Sequence, residues 1–218
     1  MPLELQDVDF KDGEAIANIY ISAFFNDPFQ KTMFPGVSFE KQVAGVISRW
    51  PNNFGNVAAH YKKVVDTDTG DIVGYSKWSF AFTTAGGTLQ KPAGFPANLE
   101  LKPPSTPEGL NDPFAIDFTD KVEKIHERVL GDRPQIQLKM LGTHPSYQRR
   151  GVASLQLSWA VDLADKENLF CWVDASPVSV LLYKKFGFEV QDEVVCELHE
   201  TCGGGLYTYT SMMRKPTV

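Results

Sequence analysis

The stretch Gln148-Arg149-Arg150-Gly151-Val152-Ala153 constrains this chain more than any other. A strand-like run, Ile136 to Leu141, leads into it across Gly142 and Pro145. A run with apolar residues at helical spacing, Val152, Leu155, Trp159 and Leu163, leaves it. A strand, a tight basic loop with one glycine and then a helix start is the layout of a phosphate site. The first four N–H groups of a helix have no internal partner and carry partial positive charge, so they can hold a diphosphate. Gly151 lets the backbone turn sharply and approach a ligand with no Cβ in the way. Ala153 is small to the same effect, Ser154 adds a hydroxyl in the first turn, and Arg149 and Arg150 add charge. Taken without its surroundings, the same loop is an ordinary turn with two basic residues facing solvent.

The flanking segments give the loop a context. Gln135 to Gly142 reads as the strand before it and Val152 to Glu167 as the helix after it. Leu169-Phe170-Cys171-Trp172-Val173 is a continuous apolar run suited to a buried parallel strand. This is a βαβ unit, for which a right-handed crossover is expected. Pro177 suits the first turn of a helix over Val178 to Phe186, and Gly187 its C-terminal cap. Phe188 to Glu200 and Leu206 to Arg214 read as an antiparallel pair around three consecutive glycines.

Upstream, Leu3 to Phe10 reads as a strand, and Asp12 to Phe25 as a helix that Asn26-Asp27-Pro28 breaks. Ser38 to Trp50 reads as a second helix, with Val43, Val46, Ile47 and Trp50 facing inward. Val57 to Val65 and Ile72 to Phe82 form a hairpin, joined by a stretch of turn-forming residues. A proline- and glycine-rich segment, Thr83 to Asp112, follows as an irregular insertion. Phe118 to Leu130 then looks helical, with Val122, Ile125 and Val129 on one face.

A length of 218 residues suits one domain, or one with an insertion. The formal net charge of −6 argues against a broad nucleic-acid surface. The three cysteines, Cys171, Cys196 and Cys202, form no C-x-x-C pair, so neither a zinc site nor a disulfide framework is expected, and Cys171 reads as core. The first residues lack the pattern of a secretory signal, and no apolar run is long enough to cross a bilayer. The expected setting is cytoplasmic, with no membrane partner. The oligomeric state is not legible.

The loop resembles the acyl-CoA loop of the GNAT superfamily of N-acetyltransferases, whose pattern Gln/Arg-x-x-Gly-x-Gly/Ala is met by Gln148, Gly151 and Ala153. A second stretch, Leu182-Tyr183-Lys184-Lys185-Phe186-Gly187-Phe188, is similar to the family's Leu-Tyr-x-x-x-Gly-Phe. Leu141-Gly142-Thr143-His144-Pro145 resembles its bulged fourth strand, with Thr143 where valine is usual. The resemblance covers about residues 135 to 190. It implies an α/β fold with a twisted mixed sheet flanked by helices, as a single domain over 1–218 with an insertion at about 83–134.

The resemblance also implies acetyl-CoA as co-substrate, with no metal. The fourth and fifth strands, here Ile136–Gly142 and Leu169–Val173, are expected to splay apart. The pantetheine arm would pair with the backbone around Leu141, Gly142 and Thr143. The diphosphate would sit on the loop Gln148-Arg149-Arg150-Gly151, on amides of Arg149, Gly151, Val152, Ala153 and Ser154. Ser176 stands where many members carry an asparagine that bonds the pantetheine; it serves equally as a cap for the helix opened by Pro177.

Tyr183 is the candidate general acid for the departing coenzyme thiolate, or alternatively a half-buried packing residue. Backbone N–H near Thr143 would hold the oxyanion. Some relatives place a glutamate on the fourth strand, but Gln135-Ile136-Gln137-Leu138-Lys139-Met140 has no carboxylate. Asp27 is then the candidate base, or else a turn residue before Pro28, with Glu123 and Glu127 as further candidates. His144 lies beside the loop as a surface residue or a phosphate contact, and His60, His126 and His199 share no motif. The expected function is transfer of an acetyl group from acetyl-CoA to an amine, the acceptor a small molecule, by direct attack in a ternary complex. A protein or peptide N-acetyltransferase and a non-catalytic acyl-CoA-binding module remain open.

Overall fold

The computed structural model describes residues 2–89, 94–96, 99, 101, 103 and 105–217. Its strands are β1 (Leu3–Asp7), β2 (Ala59–Asp66), β3 (Ile72–Ala81), β4 (Gln135–Thr143), β5 (Phe170–Ala175), β6 (Glu189–Glu197) and β7 (Leu206–Arg214). They form one sheet in the order β1-β2-β3-β4-β5-β7-β6. All neighbours are antiparallel except β4 and β5, which the helix after the glycine loop joins in parallel.

The helices are α1 (Gly13–Phe24), α2 (Pro28–Met33), α3 (Phe39–Gly55), α4 (Ala85–Thr88), α5 (Asp112–Val129), α6 (Val152–Lys166) and α7 (Val180–Lys185). Ile16 and Ile19 of α1 and Trp50 of α3 pack with Tyr61 and Tyr75 on one face of the sheet. Phe29 of α2 and Phe114 and Phe118 of α5 cover β6 and β7 on that same side. The opposite face holds the largest core. There Leu157, Ala160 and Ala164 of α6 and Tyr183 of α7 meet Trp78, Ile136, Leu138, Val173 and Met212. Cys171 is buried in this core, as its position in an apolar run suggests. The mixed sheet with helices on both faces is the architecture read from the sequence. The insertion lies between β3 and β4 and contributes α4 and α5.

Several boundaries differ, each for a local or tertiary reason. β1 ends at Asp7 rather than Phe10, because the Asp9 N–H donates to Asp12 Oδ2 at 2.8 Å and starts a short 3-10 turn. Asp12 does not cap α1 with its side chain; it meets Lys63 Nζ at 2.5 Å instead. The break at Asn26–Pro28 is only a corner, since α2 begins there with Asp27 as its N-cap.

Helix α3 runs five residues past Trp50, through Pro51. Proline deletes one backbone bond, but Phe54 in the following turn packs on Trp50 at 5.2 Å and Phe10 at 5.6 Å. Of the residues expected to face inward, Trp50 is buried, while Ile47 is 38% exposed. Helix α5 starts at Asp112, not Phe118, because Phe114 and Phe118 both pack on Phe29, at 5.2 and 4.8 Å.

Candidate functional site at the β4–β5 opening

β4 and β5 pair from Gln135↔Phe170 to Leu138↔Val173 and no further. Beyond that point β4 stays bound to β3, as far as Thr143↔Gly74, while Asp174 and Ala175 pair with Ser211 and Thr210 of β7. The two central strands therefore part, with Lys139–Thr143 on one lip and Asp174–Ala175 on the other. This is the expected splay, two residues before the end of β5. A register shift between Lys77 and Trp78 opposite β4 marks Lys139 as the bulged residue. The bulge thus lies ahead of Leu141–Pro145, the stretch read as bulged from the sequence. An extra residue in one strand bends it and ends regular pairing, which is the local cause of the opening.

The glycine loop stands beside this gap. Gly151 is the N-cap of α6 and adopts φ +89°, and Arg149 also has positive φ, at 59°. A Cβ on Gly151 would meet nothing within 4 Å, so the space in front of it is open. The first bond of the helix is Leu155 N–H to Gly151 O at 2.9 Å. The N–H groups of Val152, Ala153 and Ser154 stand ahead of that bond and face the loop. Val152 anchors the turn: it is buried with Val64 and Val73, and a Cβ on Gly74 would lie 2.3 Å from its Cγ1. Gln148, Arg149 and Arg150 are exposed, and the Arg150 guanidinium lies 5.2 Å from the Tyr147 ring centre. His144 caps the 3-10 turn before the loop, its Nδ1 accepting from Ser146 N–H. Gly142 is buried, because a Cβ there would press on the Tyr75 ring at 2.6 Å. Leu141 and Thr143 line the lip, partly exposed.

Tyr183 lies at the end of the gap on the α6 side, 4% exposed, its ring edge-on to Phe188 at 5.7 Å. Burial pushes its phenol well above the ordinary range, partly offset by a hydrogen bond with Ser179. Ser179 Oγ sits 3.1 Å from Ser176 Oγ and donates to Ser176 O at 2.9 Å. Ser176 is not the cap of α7. A turn over residues 176–179 precedes that helix, which begins only at Val180, two residues later than expected. Ser176 instead lies beside Tyr207, whose hydroxyl donates to Asp27 Oδ2 at 2.8 Å. Burial, then Asp27, raises the Tyr207 phenol. A line of neighbouring polar groups therefore runs Asp27–Tyr207–Ser176–Ser179–Tyr183, hydrogen-bonded between Asp27 and Tyr207 and between Ser176 and Ser179. It joins the two residues singled out from sequence across the end of β5.

Asp27 also serves as a turn residue, its Oδ1 accepting from Phe29 N–H at 2.8 Å. The two readings of this side chain coexist, because a carboxylate has about four acceptor sites.

The sequence reading missed Asp174. Its carboxylate lies on the sheet face that carries Trp172, accepting from Ser211 Oγ at 2.6 Å and Trp172 Nε1 at 3.2 Å. Burial raises it, with Ser211, Trp172 and the charge of Lys139 acting the other way. The available signal was one carboxylate closing an otherwise apolar strand. Lys139 is lowered by desolvation, against the pull of Asp174 and Glu123. His126 bonds Gln135 and Gln137, each at 2.6 Å, and packs edge-on to Trp172.

Residues 115–188 match the model of the Acetyltransferase (GNAT) family. No curated protein matches the chain in sequence. Among solved structures, a histone acetyltransferase HPA2 and related acetyltransferase from Corynebacterium glutamicum is 16% identical, with TM-score 0.64 over 100% of this chain and 98% of that one. The C-terminal condensation domain of Ebony, in complex with beta-alanyl-dopamine, is 13% identical, with TM-score 0.69 over 99% of each chain. A Salmonella typhimurium protein, yncA, assigned as an acetyltransferase and solved with its cofactor acetyl-CoA, is 15% identical, with TM-score 0.50 over 100% of this chain and 96% of that one. At these identities the structures speak to fold alone, and the family model speaks to the loop and its surroundings. Residues 115–188 thus resemble the GNAT family of acetyltransferases, and the whole chain has the GNAT acyltransferase fold.

Proposed function

We propose that the protein transfers the acetyl group of acetyl-CoA to the amine of a small molecule, by direct attack within a ternary complex. The observation that carries this reading is the parting of β4 and β5 beside the N-terminus of α6. The diphosphate rests on the N–H groups of Gly151 to Ser154, with Gln148, Arg149 and Arg150 around it. The pantetheine enters between Leu141–Thr143 and Ala175, where unpaired strand backbone accepts it as an added strand would. The thioester then lies at the level of Tyr183 and Ser176.

The amine approaches from the face covered by α1, α2 and α5. Asp27 and Asp174 both lie on that side and offset the charge of an ammonium. Asp27 takes the proton that the amine must lose before attack. Backbone N–H near Thr143 holds the oxyanion. Tyr183 gives its proton to the departing thiolate; its raised phenol is fully protonated at neutral pH. The line through Tyr207, Ser176 and Ser179 offers a path that returns the proton from Asp27 to Tyr183.

A compact acceptor is favoured by a cleft of about 480 Å³ lined by α1, α2, α3 and residues 105–108 of the insertion. That volume lies within the range of small-ligand pockets.

Two measurements test the reading. Acetyl-CoA is expected to raise the melting temperature, since a ligand of the native state adds about 2.7 kcal/mol at a hundredfold excess over Kd. NADH should not, because the chain has no G-x-G-x-x-G. A panel of small amines should release free coenzyme A thiol above the rate of acetyl-CoA hydrolysis. A melt indifferent to millimolar acetyl-CoA contradicts coenzyme binding, and binding without thiol release to any amine contradicts the transferase step.

A further inference from the structure

The cavity that supports a compact acceptor carries a charge the reaction does not use. Arg49 of α3 lines it together with Tyr20 of α1 and Gln30 of α2. The other charges on its wall among the described residues, Lys41 and Glu108, face each other across the mouth at 3.5 Å and are largely exposed. Arg49 forms no ion pair and no hydrogen bond among the described residues. Desolvation lowers its guanidinium, so this charge is held partly out of water. A guanidinium drawn partly out of water gains from an anionic partner. Its guanidinium lies back over Gly45, where a Cβ would sit 3.4 Å from the nearest guanidinium nitrogen.

The hydrogen bonds beside it are oriented in one direction. Gln42 Nε2 donates to Val37 O at 3.1 Å, and Gln30 Nε2 donates to Gln42 Oε1 at 2.9 Å. The Gln30 side chain also interacts with the Tyr20 hydroxyl, and burial raises that phenol. The Tyr20 hydroxyl is a group that can donate into the cavity. Gln30 and Gln42 are both buried, so the arrangement is fixed by the fold rather than by solvent. A guanidinium and a hydroxyl proton thus converge on one cavity, and both are donors.

We infer that Arg49 and Tyr20 bind a carboxylate on the acceptor, so that the substrate class is a small amine that also carries a carboxylate. A guanidinium offers two parallel N–H groups that match the two oxygens of a carboxylate. A single arginine with one hydroxyl suits one negative charge better than the two of a phosphate. The amine of such a molecule is then directed away from Arg49. Helices α1 and α2 both line the cavity, and Asp27 is the N-cap of α2. This inference rests on the acetyl-transfer reading for the word acceptor, but the binding of the carboxylate can be measured without turnover.

The probes are free amino acids, their methyl esters and the N-acetyl derivatives of both. In calorimetry without coenzyme, at least one N-acetyl amino acid is expected to bind about tenfold or more tightly than its methyl ester. Arg49→Gln should remove that preference, Arg49→Lys should restore part of it, and Tyr20→Phe should reduce it without disturbing the fold. In turnover, the same variants should raise KM for the free acid at least tenfold and shift KM for the ester far less. Equal binding of acid and ester, equal losses for both in the variants, or binding of inorganic phosphate but of no acid overturns the inference. Absence of thiol release with every amine counts against the acetyl-transfer reading instead, and the acid–ester comparison in calorimetry still decides the role of Arg49.

Discussion

Tyr183→Phe is expected to lower kcat about a hundredfold, the lower end for loss of a general acid, with acetyl-CoA affinity unchanged. Only one oxygen is removed. The ring is held in the α6-side core against Phe188, and those contacts survive in phenylalanine. The hydroxyl is hydrogen-bonded with Ser179 at the end of β5, where the thioester sulfur is placed. A thiolate departing into a site with no proton donor must wait for water, and the cost falls on the chemical step. Steady-state kinetics beside a binding titration separate the alternatives. Unchanged kcat makes Tyr183 a packing residue. Equal losses in kcat and affinity make it a coenzyme clamp.

Gly151→Val is expected to weaken acetyl-CoA binding at least tenfold while the fold persists. Two effects add. The residue sits at φ +89°, a conformation that costs a residue with a Cβ roughly 1–2 kcal/mol, and more when the side chain is β-branched. The Cβ would point into the open space where the diphosphate is placed, with nothing of the protein within 4 Å to obstruct it. The loop is exposed, so the strain is relieved by turning the N–H groups of Val152 to Ser154 away from the ligand. Calorimetry should show weaker binding beside a near-parental melting curve. Parental affinity contradicts the phosphate-loop assignment, and collapse of the fold contradicts the view that the loop is separable from the core.

The parts of the site that were legible in the sequence are those whose cause is local. A glycine at a strand–helix joint, a helix start and a Leu-Tyr-x-x-x-Gly-Phe ending at a positive-φ glycine each depend on a few neighbours, and Gly151, Val152 and Gly187 stand as read. What was not legible depends on partners distant in the chain. The opening of β4 from β5 is a pairing that stops, and its bulge at Lys139 is set against β3. Asp174 is held by Ser211, which β7 supplies.

The same division holds for the helices. Ser38 caps α3 as its type suggests, accepting from Lys41 N–H. The continuation of α3 past Pro51 reflects aromatic packing from Phe10 and Phe54, which no local rule contains. The early start of α5 likewise depends on Phe29, some eighty residues before it. Asp27 was visible as a polar residue in a break. Its link to Tyr183 runs through Tyr207, far along the chain, and then through Ser176 and Ser179.

The most direct test of the account is a crystal structure of the protein with coenzyme A. The pantetheine should lie in the gap between Leu141–Thr143 and Ala175, its diphosphate on the N–H groups of Gly151 to Ser154, and its sulfur within hydrogen-bonding distance of the Tyr183 hydroxyl. Coenzyme A bound elsewhere, or a gap that stays closed to millimolar coenzyme, would contradict it.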